Sequence, residues 1–312
     1  MTRAIVFAYS EVGVRCLQVL LDQGVQIPLL FTHADDPAET QWFGSVAKLG
    51  LEHGIRTVTP DDPNTEQWIE EARSLAPDFV LSFYYRYMLR AGWLSVPARG
   101  ALNMHGSMLP RYRGRAPVHW AILNGETETG ASLHYMLEKP DAGALVDQQA
   151  IPILENDDAL AVSRKVAEAA ARVLNRSLPR LIAGTAAAMP LDLSKGSYFG
   201  GRRPEDGRID WRMGARAIHD LVRAVAPPFP GAFCEVAGAT VYLLETRLDP
   251  GALAHRAAAP CLYASEGRWH ADCVDGRRLL ITKMQIDGRP VTPKDVPSGW
   301  PAQPIALTTS RN

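Results

Sequence analysis

Short runs of apolar and β-branched residues recur along the first half of the chain, and helix-compatible segments separate them. The runs are spaced about 20 to 25 residues apart and read AIVFAYS, QIPLLFTH, RTVTP, DFVLSFYY and GALNMHGS. The segments between them include EVGVRCLQVLLDQG, ETQWFGSVAKLGLEHG and TEQWIEEARSLAP. Strands that alternate with helices predict an α/β fold with a mostly parallel sheet and helices on both faces. Ligands of such sheets bind beyond the carboxyl ends of the strands.

The pattern changes in the second half of the chain. TGASLHYM and ALVDQQAIPI predict two further strands around the loop LEKPDAG, and a long helix is expected from about Asp157 to a point near Pro179. Near Gly196 the segment GSYFGGRRPEDGRIDW is typical of a linker, and the helical stretch ARAIHDLVRAV follows. The later runs AFCEVAG, TVYLLET, RWHADCV and RLLITKMQI predict a small antiparallel barrel or sandwich. We therefore expect one domain over residues 1–200 and a second over residues 201–312.

Charge and cysteine usage narrow the class of protein. The 312 residues include 33 Lys and Arg against 34 Asp and Glu, so a nucleic-acid partner would need a local basic patch. The four cysteines have no CxxC spacing, which indicates reduced core thiols. The N-terminus turns polar too quickly for a signal peptide, and no apolar run reaches the ~18 residues of a membrane span. We expect a cytoplasmic protein without a membrane partner.

Familiar cofactor motifs are missing from the sequence. The first strand-to-helix turn, YSEVGVRC, lacks the glycine pattern of a dinucleotide site, and no Walker A sequence occurs, so we expect no NAD. His105, His119 and His134 lie within thirty residues of one another but match no compact ligand spacing such as HExxH. A lone histidine near a strand is more often a hydrogen-bonded structural group, so we expect no metal.

The candidate chemistry lies at the end of the run GALNMHGS. Residues two apart in a strand point to the same side, so Asn103 and His105 would project together. Gly106 and Ser107 would open a turn beside them, and Asp141 follows the next strand in a loop that can return to the same crevice. The alternative is that Asn103 caps a turn and His105 is a hydrogen-bonded core group.

An amide, an imidazole and a carboxylate in one crevice suit acyl transfer. The amide of Asn103 can stabilise the oxyanion of a tetrahedral intermediate. The imidazolium of His105 can donate a proton, and a nearby carboxylate raises the pKa of an imidazole because it favours the charged form. No serine or cysteine is placed as an obvious nucleophile, so direct transfer to an incoming amine is favoured over a covalent enzyme intermediate.

Three arginines follow this strand, at positions 111, 113 and 115. They form either a solvated loop face or a grip on a phosphate or carboxylate through bidentate hydrogen bonds. Their position near the expected crevice favours the second interpretation for at least one of them. The sequence does not say which one.

The stretch NMHGSMLPRYRGRAPVHW resembles the NxHxSxLPxYRGxxP signature of the formyltransferases that use 10-formyltetrahydrofolate, and PDAG, NGETETG, PEDGRIDW and RAVAPPFPGAF agree with it. The resemblance spans nearly the whole chain. It implies a Rossmann-like N-terminal domain that holds the folate and a smaller OB-like β-barrel domain. It also implies that Asn103 stabilises the transition state, His105 donates the proton and Asp141 raises the pKa of His105. The implied folate site comprises Tyr87, Met88, Leu89, Arg115, Leu137, Glu138, Lys139, Pro140 and Asp141.

Within this family the chain is most similar to the enzymes that formylate UDP-4-amino-4-deoxy-L-arabinose, a step of lipid A modification and polymyxin resistance. VFAYSEVG, FTHADDPAET, FGSVAKL and SFYYRYML carry that closer likeness. In that group of enzymes a decarboxylase domain follows the formyltransferase domain. For this chain we expect the decarboxylation to be carried out by a separate protein. FGGRRPED departs from the expected FGRR at Arg202 and Arg203. The sequence does not determine the oligomeric state, and it does not identify the group that deprotonates the attacking amine.

Methionyl-tRNA formyltransferases share the motif and are the main alternative. A tRNA substrate demands phosphate neutralisation by Lys and Arg. No Lys or Arg lies between Arg15 and Lys48, where Asp35, Asp36 and Glu39 occur instead. Residues 205–312 carry 13 basic and 12 acidic residues. We therefore expect a nucleotide-linked amino sugar, with dTDP-linked sugars also open. A catalytically silent folate-binding protein is a further alternative, which the presence of Asn103, His105 and Asp141 opposes.

Overall fold

The computed structural model describes residues 1–35, 40–252, 259–295, 300 and 304–308. Asp36 and Glu39, which enter the charge argument above, lie outside these ranges. The chain divides into two compact units. The first comprises Met1–Pro117, Glu128–Pro152 and Ser163–Gly200, and the second comprises Val118–Thr127, Ile153–Val162 and Gly201–Asn312.

Along its first 200 residues the chain alternates between strands and helices. The strands are β1 (Arg3–Ala8), β2 (Gln26–Phe31), β3 (Thr57–Val58), β4 (Phe79–Phe83), β5 (Gly100–His105), β6 (Arg113–Gly114), β7 (Glu128–Tyr135), β8 (Leu145–Pro152) and β9 (Tyr198–Phe199). The helices are α1 (Ser10–Asp22), α2 (Val46–Glu52), α3 (Glu66–Ser74), α4 (Ala91–Leu94), α5 (Pro117–Leu123) and α6 (Ala159–Ala183).

The main sheet of the first unit is mixed and mostly parallel. Its strand order is β3-β2-β1-β4-β5-β7-β8, in which β1 to β5 run parallel and β7 and β8 are antiparallel to their neighbours. The strands β1 and β4 are buried on both faces, which explains why their sequences read as continuous apolar runs. The strand order reverses between β1 and β4, and ligands of such sheets bind where the order reverses.

One face of this sheet carries an aromatic core that leads to β5. Phe7 stacks on Phe31 with ring centroids 4.4 Å apart, and Trp93 meets the ring of Phe7 edge-on at 4.7 Å. Ala101 of β5 belongs to the same buried cluster. Because residues two apart share a face, Asn103 and His105 continue this face toward the carboxyl end of β5.

The long helix α6 ends later than the sequence predicts. We expect it to stop near Pro179, but it continues through this residue to Ala183. Proline removes the hydrogen bond that its N–H would give to the carbonyl four residues earlier, here Asn175. The side-chain amide of Gln23 donates to that carbonyl at 2.9 Å and to the Asn175 side-chain oxygen at 2.7 Å. This replacement donor offsets the loss, so the helix tolerates the proline.

The second unit contains an antiparallel sheet and one main helix. Its order is β10-β11-β14-β13-β12-β16, with β15 paired to β14, and the sheet curls into a half-barrel. Ile218 and Val222 of the helix pack in one core with Leu243 and Leu279 of the sheet. The elements are α7 (Ala215–Ala224), β10 (Ala232–Val236), β11 (Ala239–Ala252), β12 (Cys261–Ser265), β13 (Arg268–Asp272), β14 (Arg277–Ile286), β15 (Arg289–Pro290) and β16 (Ile305–Ala306).

The fold class predicted from the sequence is confirmed: an α/β chain with a Rossmann-like, mostly parallel sheet followed by an OB-like antiparallel domain. Within the described residues, no helix combines the length and the apolar character needed to cross a membrane.

Candidate active site

The strand β5 places two polar side chains on the same side at its carboxyl end. Asn103 lies opposite Ser82 of β4 and His134 of β7, and His105 is the last residue of the strand. The imidazole of His105 is buried, whereas the amide of Asn103 is half-buried. As the two-residue period of a strand predicts, both side chains project to the same side of the sheet near the end of β5.

The carboxylate of Asp141 is the point where these side chains meet. Its Oδ1 atom lies 3.4 Å from Nδ2 of Asn103 and 3.5 Å from Nδ1 of His105. Its Oδ2 atom accepts a hydrogen bond of 2.9 Å from the main-chain N–H of Gly114. The loop after β7 thus returns to β5, and the structure brings together the three residues singled out in the sequence.

The surroundings of Asp141 keep its carboxyl group ionised. Burial raises the pKa of Asp141, but the positive charge on His105, the contact with His134 and the N–H of Gly114 lower it more strongly. The net result is a pKa well below the usual range of an aspartic acid. Asp141 is therefore an anion at neutral pH, although most of its surface is removed from water.

Each ring nitrogen of His105 faces an acceptor. Nε2 lies 2.7 Å from the carbonyl oxygen of Tyr112, and because a carbonyl only accepts, Nε2 carries a proton. Nδ1 faces the carboxylate of Asp141 at the longer distance of 3.5 Å. A proton carried on Nδ1 would point toward this carboxylate.

His134 is a member of the site that the sequence analysis did not assign to it. Its Nδ1 lies 2.8 Å from the carbonyl oxygen of Tyr135 and, because a carbonyl only accepts, carries a proton. Its Nε2 lies 3.2 Å from Nδ2 of Asn103. Nε2 also lies 3.4 Å from Oδ1 of Asp141. Only the register between β5 and β7 reveals this neighbour, and no local pattern encodes that register.

The backbone around the site holds several residues in the left-handed region. The φ angles are +58° at Tyr112, +97° at Gly114, +51° at Ala116 and +50° at Asp141. Such conformations cost energy for residues other than glycine and persist only where the surrounding structure imposes them. The loops that contact His105 and Asp141 are therefore held in position before any substrate binds.

The residues that the resemblance assigns to folate lie in three loops. Tyr87 and Met88 are exposed after β4, whereas Leu89 is buried. Arg115 is exposed and follows β6, where its N–H donates to the carbonyl of Phe199 at 3.0 Å. Within the described part of the chain, Asp141 is the member of this group that contacts Asn103 and His105. The rest of its loop is exposed or half-buried at Leu137, Glu138, Lys139 and Pro140.

An aromatic cluster that the sequence analysis missed lies beside Tyr87. The ring of His33 stacks on Tyr85 at 4.3 Å and meets the rings of Tyr87 and Tyr9 edge-on at 5.0 and 5.2 Å. Burial and the charge of Arg86 lower the pKa of His33 to about 4, so its ring is neutral at neutral pH. In the sequence, the aromatic rings that follow the apolar runs of β1, β2 and β4 could have indicated this cluster. Among the described residues, no group of three His, Cys, Asp or Glu is placed to hold a metal ion.

Comparisons with known proteins agree with this architecture. Residues 14–178 match the family model described as "Formyl transferase", and residues 202–299 match "Formyl transferase, C-terminal domain". The N-formyltransferase of Helicobacter canadensis, solved with folinic acid and dTDP-3-aminofucose, is 19% identical with a TM-score of 0.72, over 90% of this chain and 99% of its own.

Two further solved structures share the fold. WlaRD, a sugar 3N-formyltransferase solved with dTDP and 5-N-formyl-tetrahydrofolate, is 20% identical with a TM-score of 0.71, over 93% of this chain and 99% of its own. A sugar N-formyltransferase from Shewanella sp. FDAARGOS_354 is 21% identical with a TM-score of 0.63, over 78% of this chain and 96% of its own. Because the first family match alone spans more than half of its residues, the chain belongs to the formyl transferase family and is a formyltransferase.

Proposed function

We propose that this formyltransferase moves a formyl group from 10-formyltetrahydrofolate to the amine of a nucleotide-linked amino sugar. The observation that carries the proposal is the convergence of Asn103, His105 and Asp141 at the carboxyl end of β5. An amide donor, an imidazolium and a carboxylate are the groups that acyl transfer to an amine requires. Two of the solved structures that share the fold were determined with a reduced folate and a dTDP ligand, which supports both substrate classes.

The loops around the site fit a folate. Met88 and Leu137 expose 56% and 53% of their surface, so apolar side chains in these loops are accessible for contact with an aromatic ring. The bound folate supplies the formyl carbon. The main chain of these loops is available to read the edge of the pterin, and the nearby Arg115 is exposed.

Asn103 and His105 have separate tasks in the transfer. Nδ2 of Asn103 lies 3.2 Å from Nε2 of His134 and 3.4 Å from Oδ1 of Asp141, so its contact with Asp141 is the longer one. The N–H on the Asp141 side is therefore the one that donates to the formyl oxygen as this oxygen becomes an oxyanion. His105 gives a proton to the folate nitrogen when its bond to the formyl carbon breaks. The amine loses one proton as its new bond forms, either to Asp141 or to His105 through water, so the proton count balances.

The charge pattern favours a small acceptor over tRNA. The sequence between Arg15 and Lys48 has no Lys or Arg, and residues 205–312 are nearly neutral, whereas tRNA binding needs clustered Lys and Arg. A sugar nucleotide needs only a few contacts to its diphosphate and base. Within this class we propose UDP-4-amino-4-deoxy-L-arabinose, on the closer likeness of VFAYSEVG and SFYYRYML, and with it a role in lipid A modification and polymyxin resistance.

The test is a formyl-transfer assay with 10-formyltetrahydrofolate and three acceptors side by side. These are UDP-4-amino-4-deoxy-L-arabinose, a dTDP-linked amino sugar and methionyl-tRNA, and products are identified by mass spectrometry. We expect a formylated sugar nucleotide, and none from a His105→Asn variant with an unchanged circular dichroism spectrum. Product from tRNA alone would refute the proposal, and folate binding without turnover on any of the three would indicate a silent folate-binding protein.

A further inference from the structure

Arg113 is a buried cation with which none of the described carboxylates forms an ion pair. The residue is 9% exposed, and its Nε atom is buried without a hydrogen-bond partner. Among the described residues, no Asp or Glu forms an ion pair with its guanidinium, whose recorded contact is the ring of Tyr198, 6.0 Å from centroid to Cζ. Taking a cation out of water without a partner is strongly unfavourable, so such a group calls for a reason.

Among the described residues, Arg223 is the other deeply buried arginine, and it shows which partners a structural arginine has in this protein. Arg223 is 4% exposed, and its Nε donates to Asp220 at 2.8 Å. Its Nη1 donates to the carbonyl oxygens of Asp157 at 3.0 Å and Leu154 at 3.4 Å. Arg223 therefore has both its charge and its donors satisfied by the protein. Arg113, at a similar burial, has no ion pair with a described carboxylate, and its Nε has no hydrogen-bond partner.

The position of Arg113 links it to the candidate active site. The carbonyl oxygen of the preceding residue, Tyr112, accepts a hydrogen bond from Nε2 of His105 at 2.7 Å. The N–H of the following residue, Gly114, donates to Asp141 at 2.9 Å. The N–H of Arg113 itself donates to the carbonyl of Ser197 at 3.0 Å, which fixes the strand pair β6–β9. The unpaired guanidinium thus extends from a rigid main-chain segment that touches both His105 and Asp141.

We propose that Arg113 binds an anionic oxygen group of a substrate, a phosphate or a carboxylate, through its planar guanidinium. A substrate anion would supply the missing counter-ion and the hydrogen-bond acceptors in one step. The inference rests on the proposed function, which offers two sources of such a group. One is the diphosphate of the sugar nucleotide, and the other is the glutamate carboxylate of the folate.

Binding measurements test this independently of turnover. We would titrate UDP and 5-formyltetrahydrofolate separately into the wild-type protein, Arg113→Gln and Arg113→Lys by calorimetry at two salt concentrations. We expect Arg113→Gln to weaken one of the two ligands by about 10- to 100-fold and to reduce the salt dependence of its Kd, since one charge contact is lost. Arg113→Lys should restore part of the affinity, because it keeps the charge but not the bidentate geometry.

The matched control is Arg172→Gln, which removes one positive charge from an exposed position on α6 where the arginine pairs with Glu168. It should bind both ligands as the wild type does. Loss of UDP affinity in Arg113→Gln would identify the diphosphate as the anion, and loss of folate affinity would identify the carboxylate. Unchanged affinity for both ligands would overturn the proposal.

If Arg113→Gln does not fold, the affinities of the Arg113→Lys variant for UDP and 5-formyltetrahydrofolate test the proposal instead. Wild-type affinity for both ligands in Arg113→Lys at low and at high salt would also overturn the proposal. The binding of UDP and of 5-formyltetrahydrofolate needs no formyl transfer. The binding measurements therefore test the role of Arg113 even if the acceptor assay of the proposed function gives no product.

Discussion

At the scale of single residues, the candidate site depends on Asp141. Its carboxylate contacts Asn103, His105 and His134 and is held by the N–H of Gly114. It is a largely buried carboxylate whose pKa its neighbours hold well below the usual range of an aspartic acid. The amide and the imidazole lie on one strand, but the group that ties them together comes from a different loop.

We predict that Asp141→Asn lowers kcat by at least ~10², because the variant keeps the shape of the side chain but loses the charge that stabilises the imidazolium of His105. Steady-state kinetics with a formyl-accepting substrate would measure this. The control is Asp22→Asn, which neutralises an exposed carboxylate at the end of α1. Turnover of Asp141→Asn close to that of the control would contradict the role of Asp141.

Gly143 has a steric reason to be glycine. A Cβ atom at this position would lie 1.9 Å from the carbonyl oxygen of Tyr135, which is main chain and unable to swing away. We predict that Gly143→Ala displaces the loop that carries Asp141 and lowers kcat/KM at least ~10-fold, since small misplacements in an active site are costly. Ala142→Gly serves as the control in the same loop. A wild-type kcat/KM in Gly143→Ala would show that the loop has room to adjust.

At the scale of elements, one strand pair and one helix bring together polar groups that are buried in the fold. The antiparallel pairing of β5 with β7 brings His134 beside Asn103. In the second unit, α7 carries Asp220 and Arg223, which are both buried and form an ion pair at 2.8 Å. A buried pair of this kind is costly to break, because the remaining charge has no partner.

We predict that Asp220→Ala lowers the free energy of unfolding by about 3–5 kcal/mol, since it leaves the Arg223 guanidinium buried and unpaired. Urea denaturation followed by circular dichroism would measure it. Arg216 also contacts Asp220, at 3.2 Å, but its side chain is 41% exposed, so Arg216→Gln should cost no more than about 1 kcal/mol. Equal effects of the two substitutions would refute the distinction between the buried and the exposed pair.

At the scale of the whole molecule, the charges nearly cancel, with a formal net charge of −1. Long-range attraction of a polyanion is therefore not built into the chain, and specific binding must come from particular groups such as Arg113. The stability of the molecule in acid should likewise depend on particular groups. Asp141 is the clearest of them, because its pKa is well below the ordinary value of 3.8.

A group whose pKa is lower in the folded state stabilises the fold fully above its ordinary pKa and loses that contribution as the pH falls toward the folded value. We predict that between about pH 4 and pH 2 the wild type loses at least about 1 kcal/mol more unfolding free energy than Asp141→Asn. Denaturant titrations at a series of pH values would show this. Parallel acid curves for the two proteins would mean that Asp141 makes no such contribution.

Local patterns in the sequence determined much of this protein. The alternation of apolar runs with helical segments predicts the α/β class, and the two-residue period of a strand places Asn103 and His105 on one side of β5. These inferences succeed because they rest on the geometry of neighbouring residues. The family resemblance likewise depends on contiguous motifs, and the matches at residues 14–178 and 202–299 agree with it.

Tertiary structure alone decided the rest, because it depends on residues that are distant in sequence. The continuation of α6 through Pro179 needs Gln23, which lies 152 residues before Asn175. The pairing of His134 with Asn103 needs the register of β5 with β7. Which of the three arginines is buried with an unpartnered Nε depends on how the surrounding chain packs around it. Strand register, burial and counter-ions are properties of the folded chain, and no local period encodes them.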